Sequence, residues 1–124
     1  MNIEDFRDYC LAKPGVTEEA PFGPETLVFK VGGKIFALTD IDTFSSINLK
    51  CDPERAADLR EAHDYVLPGF HTNKKHWNTV LIGAGTAETQ LRELIDHSYG
   101  LVLTALPKAV RQAMTGIGHD AVLG

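Results

Sequence analysis

The spacing of apolar residues changes period several times along the chain, and each change marks an element. Ile3, Phe6 and Cys10 fall on one face while Glu4, Asp5 and Asp8 fall on the other. With Asn2 as N-cap and Pro14-Gly15 as the stop, this is a first helix. Leu27-Val28-Phe29-Lys30-Val31 and Lys34-Ile35-Phe36-Ala37-Leu38 are β-branched and aromatic, and Gly32-Gly33 stands between them. This pattern predicts a tight β-hairpin with positive φ at both glycines. Ser46-Ile47-Asn48-Leu49-Lys50 alternates with period two, giving a third strand with Ile47 and Leu49 inward.

Asp52-Pro53 then supplies an N-cap followed by proline at the first helical position, and Ala56, Leu59 and His63 mark the buried face of a second helix. Tyr65-Val66-Leu67 is at most a short fourth strand before the Pro68-Gly69 turn, and Trp77 to Ile82 reads as a fifth. Thr86 is expected to cap the last long helix, whose Leu91, Leu94, Ile95, Ser98, Val102 and Leu106 form one stripe that Pro107 ends. A short helical turn from Lys108 to Met114 follows. Phe22, in the Pro21-Phe22-Gly23-Pro24 loop, is expected to fold back as a plug on the core. Trp77 is expected to be largely buried against the last helix, with Lys75 and His76 in solvent.

The order is α-β-β-β-α-β-β-α. Hairpin-length links imply an antiparallel sheet with the helices on one face, an α+β two-layer sandwich formed by one domain over residues 1–124. The 44% apolar and 23% charged residues of this 124-residue chain suit a globular fold rather than a disordered one.

Charge narrows the functional classes. The chain carries a formal net charge of −5, which argues against a tight, non-specific nucleic-acid binder. Its one basic stretch, Val66 to Thr86, has Lys74 and Lys75, no acid, and two histidines, His71 and His76. Cys10 and Cys51 form no C-x-x-C motif and are too few for a disulfide scaffold, so both are read as buried thiols. No basic n-region precedes an apolar run and no apolar run is long enough for a bilayer, so a cytoplasmic protein without membrane contact is expected.

Val80-Leu81-Ile82-Gly83-Ala84-Gly85 imitates a dinucleotide fingerprint, but Glu88 stands where the third glycine belongs and no second strand with an acidic residue follows. His71 and His76 are five residues apart, which suits one face of neither a helix nor a strand, so no metal is expected. No nucleophile elbow is present, and the carboxylates of Glu4, Asp5, Asp8, Glu18 and Glu19 read as solvated faces. Neither catalysis nor a cofactor is expected. The run from His71 to Thr79 gathers cationic, amide and hydroxyl donors beside an indole, a mixture able to grip phosphates and stack on a base. The other reading of that run makes Trp77 a core residue, Lys74-Lys75 a turn cap, and the amides partners of loop backbone.

Pro21-Phe22-Gly23-Pro24, the hairpin strands, Asn48-Leu49-Lys50-Cys51-Asp52-Pro53, Pro68-Gly69-Phe70-His71, Asn73-Lys74-Lys75-His76-Trp77-Asn78 and Ser98-Tyr99 occur in that order. As a set they resemble the MmcQ/YjbR family. The resemblance implies an α-β(3)-α-β(2)-α layout, CyaY-like and related in shape to secretion chaperones, and DNA binding through a double wing of hairpins. It points to His71, Asn73, Lys74, Lys75, His76 and Trp77, with the Gly32-Gly33-Lys34 hairpin as one wing. Thr72, where methionine is common, and the Gly83-Ala84-Gly85 connection depart from the pattern. The leading expectation is a DNA-binding domain whose phosphate contacts come from the Lys74-Lys75 loop, Lys34 and Lys50. The alternatives are a protein-interaction module, which needs an exposed apolar patch, and a small-ligand binder with a pocket under Phe22 and Trp77.

Overall fold

The computed structural model describes residues 1–70, 72–83 and 85–113. Helix α1 (Ile3–Leu11) begins as its sequence dictates. Asn2 Oδ1 accepts from the Asp5 amide at 2.8 Å and the Asp5 carboxylate accepts from the Asn2 amide at 3.4 Å, a reciprocal capping box. Phe6 and Cys10, one turn apart, are fully buried.

The chain then turns into β1 (Val16–Glu19), an edge strand absent from the sequence reading. Four residues carry too little periodicity to be seen alone, and this strand exists because β2 (Thr26–Val31) offers it a pairing edge. Arg7 grips Glu18 through two bonds of 2.6 and 2.9 Å, and Lys30 Nζ meets Glu19 at 3.3 Å. With β3 (Lys34–Asp40), β4 (Ser46–Lys50), β5 (Val66–Pro68) and β6 (Trp77–Leu81), these strands make an antiparallel sheet of order β1-β2-β3-β4-β6-β5. The hairpin turn is as expected, with φ of 59° at Gly32 and 80° at Gly33.

Helices α1, α2 (Pro53–Ala62) and α3 (Glu88–Ala105) cover one face. Phe6, Phe29, Phe36, Ile47, Leu91 and Ile95 fill the layer between. The Phe6 and Phe29 rings meet edge to face with centroids 5.3 Å apart, a geometry worth about 0.5–1.5 kcal/mol beyond burial. At the start of α2, Asp52 caps the Arg55 amide, and the Asp52 amide itself donates to Nε2 of His97 on α3 at 3.3 Å. Burial, then the nearby Arg55, lowers the His97 pKa, which keeps the imidazole in the neutral form that this bond requires.

Several local expectations are corrected. Thr86 does not cap α3. Its Oγ1 closes the preceding turn onto the Leu81 carbonyl at 3.1 Å, and the helix starts two residues later with Ala87 in the cap position. His63 is the C-cap of α2 rather than part of its buried face, and its ring stacks on Tyr65. Phe36 and Ala37 are consecutive, yet both are fully buried in the helix-side core. Strict alternation forbids this, and a bulge in the β2–β3 ladder, where Phe29 pairs with Ala37 but Lys30 with Ile35, provides it. The last helical turn spans 108–113, and Met114 lies outside the described residues.

A second irregularity concerns β3 and β4. They are paired from Thr39↔Ile47 to Ala37↔Leu49, and the next pair in register would be Phe36 with Lys50. Instead Ser98 Oγ, fully buried on α3, donates to the Phe36 carbonyl at 2.5 Å and accepts from the Lys50 amide at 2.9 Å. A helix side chain thus satisfies both groups where the strands part, leaving a fork in the sheet backed by α3.

Both cysteines are free and buried. Burial pushes the Cys10 thiol up to about 12 and also raises that of Cys51. The thiolate is the reactive form, so native protein at about pH 8 should leave both thiols unmodified by an aromatic disulfide reagent, whereas unfolded protein should react at both. Rapid native labelling of Cys10 would contradict this. The raised pKa also fixes a pH trend. The contribution of thiol burial is complete below the ordinary thiol pKa and declines as pH climbs from there toward about 12.

Candidate nucleic-acid interface

On a strand whose odd positions enter the core, the even positions line the opposite face. Ile47 and Leu49 are buried under the helices, so Ser46, Asn48 and Lys50 face away from them. On β6, Asn78 and Val80 are buried on the helix side, with Asn78 Nδ2 donating to the Ala56 carbonyl of α2. Trp77 and Thr79 therefore face the other way. Cross-strand register sets Trp77 beside Lys50 and Thr79 beside Asn48. The Thr79 hydroxyl donates to Asn48 Oδ1 at 2.5 Å and accepts from the Phe70 amide at 3.0 Å, pinning the start of the β5–β6 loop onto this face.

Two hollows meet here. A groove of about 660 Å³ crosses the open face of the sheet, with Leu38 and Asn48 in its floor and Phe22 and Phe70 in its walls. A recess of about 540 Å³ occupies the fork between β3 and β4, and Lys30, Lys34 and Lys50 stand around it against Val102 and Leu106 of the α3 side. Ile35 and Trp77 line both, so the hollows adjoin. The C-terminal end of α3 backs the recess, and its partial negative charge offsets some of the lysine field.

Two aromatic residues overturn their expected places. Trp77 is half-buried and absent from the helix-side core; it stands on the far face of the sheet between groove and recess. Parity decides this, because Val80 must enter the core and Trp77 is an odd number of positions away. Phe22 is no plug. It is 69% exposed on the groove's rim, and Phe70 is 48% exposed there. The sequence reading missed Phe70 as a site residue. The signal for both was an aromatic in a proline- and glycine-rich segment with no periodicity to place it inside.

The structure brings together Lys34, Lys50 and Trp77 of the expected site. Asn73 lines the groove and its Oδ1 caps the Lys75 amide at 2.9 Å. Lys75 is exposed and His76 is half-buried. Lys74 is engaged in its own loop, with Nζ donating to the Gly69 carbonyl at 2.9 Å and its carbonyl accepting from Arg60 at 2.8 Å. His71 lies outside the described residues. Among the described residues no carboxylate pairs with Lys34, Lys50, Lys74 or Lys75, and no three of His, Cys, Asp and Glu come together as metal ligands. No helix among them is long and apolar enough to cross a membrane. Strand β6 pairs antiparallel and is followed by α3, and among the described residues no parallel strand comes after that helix, so no dinucleotide-binding unit forms among them.

The family model described as YjbR matches residues 11–101. The uncharacterized protein YbdF of Escherichia coli O157:H7 is 45% identical over 89 residues, 71% of this chain and 73% of that protein. The uncharacterized protein YjbR of Escherichia coli K12 is 32% identical over 115 residues, 92% of this chain and 98% of that protein. Among solved structures, Deinococcus radiodurans DR2400, assigned to DUF419, superposes with a TM-score of 0.86 at 41% identity, over 92% of this chain and 88% of that one. A Pseudomonas syringae protein superposes with a TM-score of 0.71 at 30% identity, over 82% and 99%.

Proposed function

The chain belongs to the YjbR family, and on that premise we propose that it is a DNA-binding protein without catalytic activity, holding phosphates at the fork in its sheet. The observation that carries this reading is the gathering of Lys30, Lys34 and Lys50 around one recess with Trp77 at its edge. These lysines come from three strands and are scattered in sequence, so the net charge of −5 conceals a local cationic cluster. Lys30 shares its charge with Glu19, which leaves Lys34 and Lys50 as the main phosphate contacts, with Lys75 on the adjoining loop. Lys74 serves the interface indirectly by holding that loop to Gly69.

Few cations and a helix C-terminus behind them mean weak binding. Duplex DNA is expected to bind at low salt, with affinity falling at a logarithmic slope of about −0.9 per phosphate neutralised. Replacing Lys34 and Lys50 together by alanine should flatten that slope by roughly two units and weaken all sequences alike. The melting temperature should hardly move, because Lys34 is exposed, Lys50 is half-buried and neither pairs with a carboxylate among the described residues, and surface charges of this kind contribute about 0–1 kcal/mol. Fluorescence anisotropy over a salt series reads the slope, and an unaltered slope in the double variant would clear these lysines of the role.

A further inference from the structure

We propose that the groove on the open face of the sheet is a site for an unpaired nucleobase, so that the preferred ligand is single-stranded rather than duplex nucleic acid. This deepens the phosphate reading of the fork and rests on it. Three features select the occupant. The groove is walled by aromatic side chains from separate segments: Phe22 from the β1–β2 loop, Phe70 from the β5–β6 loop, and Trp77 at the end next to the lysine recess. Aromatic side chains around one groove can stack on a flat π-system, whereas bases still paired within a duplex keep their faces covered.

The floor is polar as well as apolar. Asn48 spends its Oδ1 on Thr79, and its Nδ2 has no protein partner among the described residues. An aliphatic ligand would cover that amide without a partner, and a base edge supplies an acceptor for it. Charge runs in the matching direction. The lysines stand at the Trp77 end, and the groove's carboxylate, Asp40, stands at the far end of β3 from Lys34. A nucleotide thus fits with its phosphate at the fork and its base over Leu38. The groove's volume of about 660 Å³ lies within the range of about 300–1,000 Å³ common for small-ligand sites.

Trp77 is the only tryptophan in the chain, so its emission reports this site directly. The probes are a mixed-sequence single strand of about 12 nucleotides, the duplex of the same sequence, and an abasic strand of equal phosphate count, each titrated at low salt. The single strand should quench Trp77 and bind about tenfold or more tighter than the duplex and the abasic strand, since stacking one base is worth about five- to 150-fold. Phe22→Ala and Phe70→Ala, both at exposed positions, should each remove about tenfold from single-strand binding and leave the abasic strand unaffected, with unchanged melting. Equal binding of all three probes with no change in Trp77 emission would overturn the base site while leaving the phosphate reading intact. Failure of every probe to bind would overturn both.

Discussion

Ser98→Ala is expected to destabilise the protein by about 2–4 kcal/mol, a large share of the roughly 5–15 kcal/mol that holds a domain together. The hydroxyl is fully buried and makes two bonds, to the Phe36 carbonyl at 2.5 Å and from the Lys50 amide at 2.9 Å. Alanine leaves the buried Phe36 carbonyl and the part-buried Lys50 amide without their partner, at up to about 1–3 kcal/mol for each unsatisfied group. Partial closure of the fork, with Phe36 and Lys50 pairing directly, would recover part of that loss. It would also draw Lys50 toward Lys34 and narrow the recess. A fall in melting temperature of roughly 10 °C should therefore accompany weaker DNA binding. A loss below about 0.5 kcal/mol, the scale of an ordinary surface substitution, would show that the serine is not the clip described.

The second large effect is expected at Gly69. This residue is buried, its amide donates to the Trp77 carbonyl at 3.0 Å, and its carbonyl receives Lys74 Nζ. A Cβ here would lie 2.1 Å from Thr72 Oγ1, 2.8 Å from Trp77 Cβ and 3.0 Å from the Trp77 carbonyl. Thr72 can rotate away, but the Trp77 atoms belong to the strand itself. Gly69→Ala is thus expected to cost about 1–3 kcal/mol and to displace the loop carrying Phe70, so that single-strand binding falls with stability. Adding Thr72→Ala should restore only part of the loss. Full recovery in the double variant would place the whole conflict on the threonine hydroxyl and remove the claim that Trp77 demands a glycine opposite it.

Both residues show where sequence and fold divide the work. Asn2, Asp52-Pro53, Gly32-Gly33 and the alternation through Ile47 and Leu49 act within a few residues of themselves, through caps, φ preferences and side-chain parity. Their consequences were legible, and the α+β sandwich with its helices on one face followed from them. The strand β1 was not legible, because four residues pair only where a neighbouring strand offers an edge. Nor was the burial of consecutive Phe36 and Ala37, since a bulge is a property of two strands in register.

The candidate site lies almost wholly on the second side of that division. Ser98 reads in sequence as one more position on a buried stripe, and only the packing of α3 across β3 and β4 makes it the clip that opens the fork. Lys30, Lys34 and Lys50 are spaced through a neutral stretch of sequence and become neighbours through strand pairing. Trp77 was placed on the wrong side because its burial depends on which of its neighbours the helices claim. Phe22 was misplaced because a loop between prolines carries no period to say which way it faces. Local physics determined the elements; contacts between residues far apart in the chain determined which face was left open and which side chains met there.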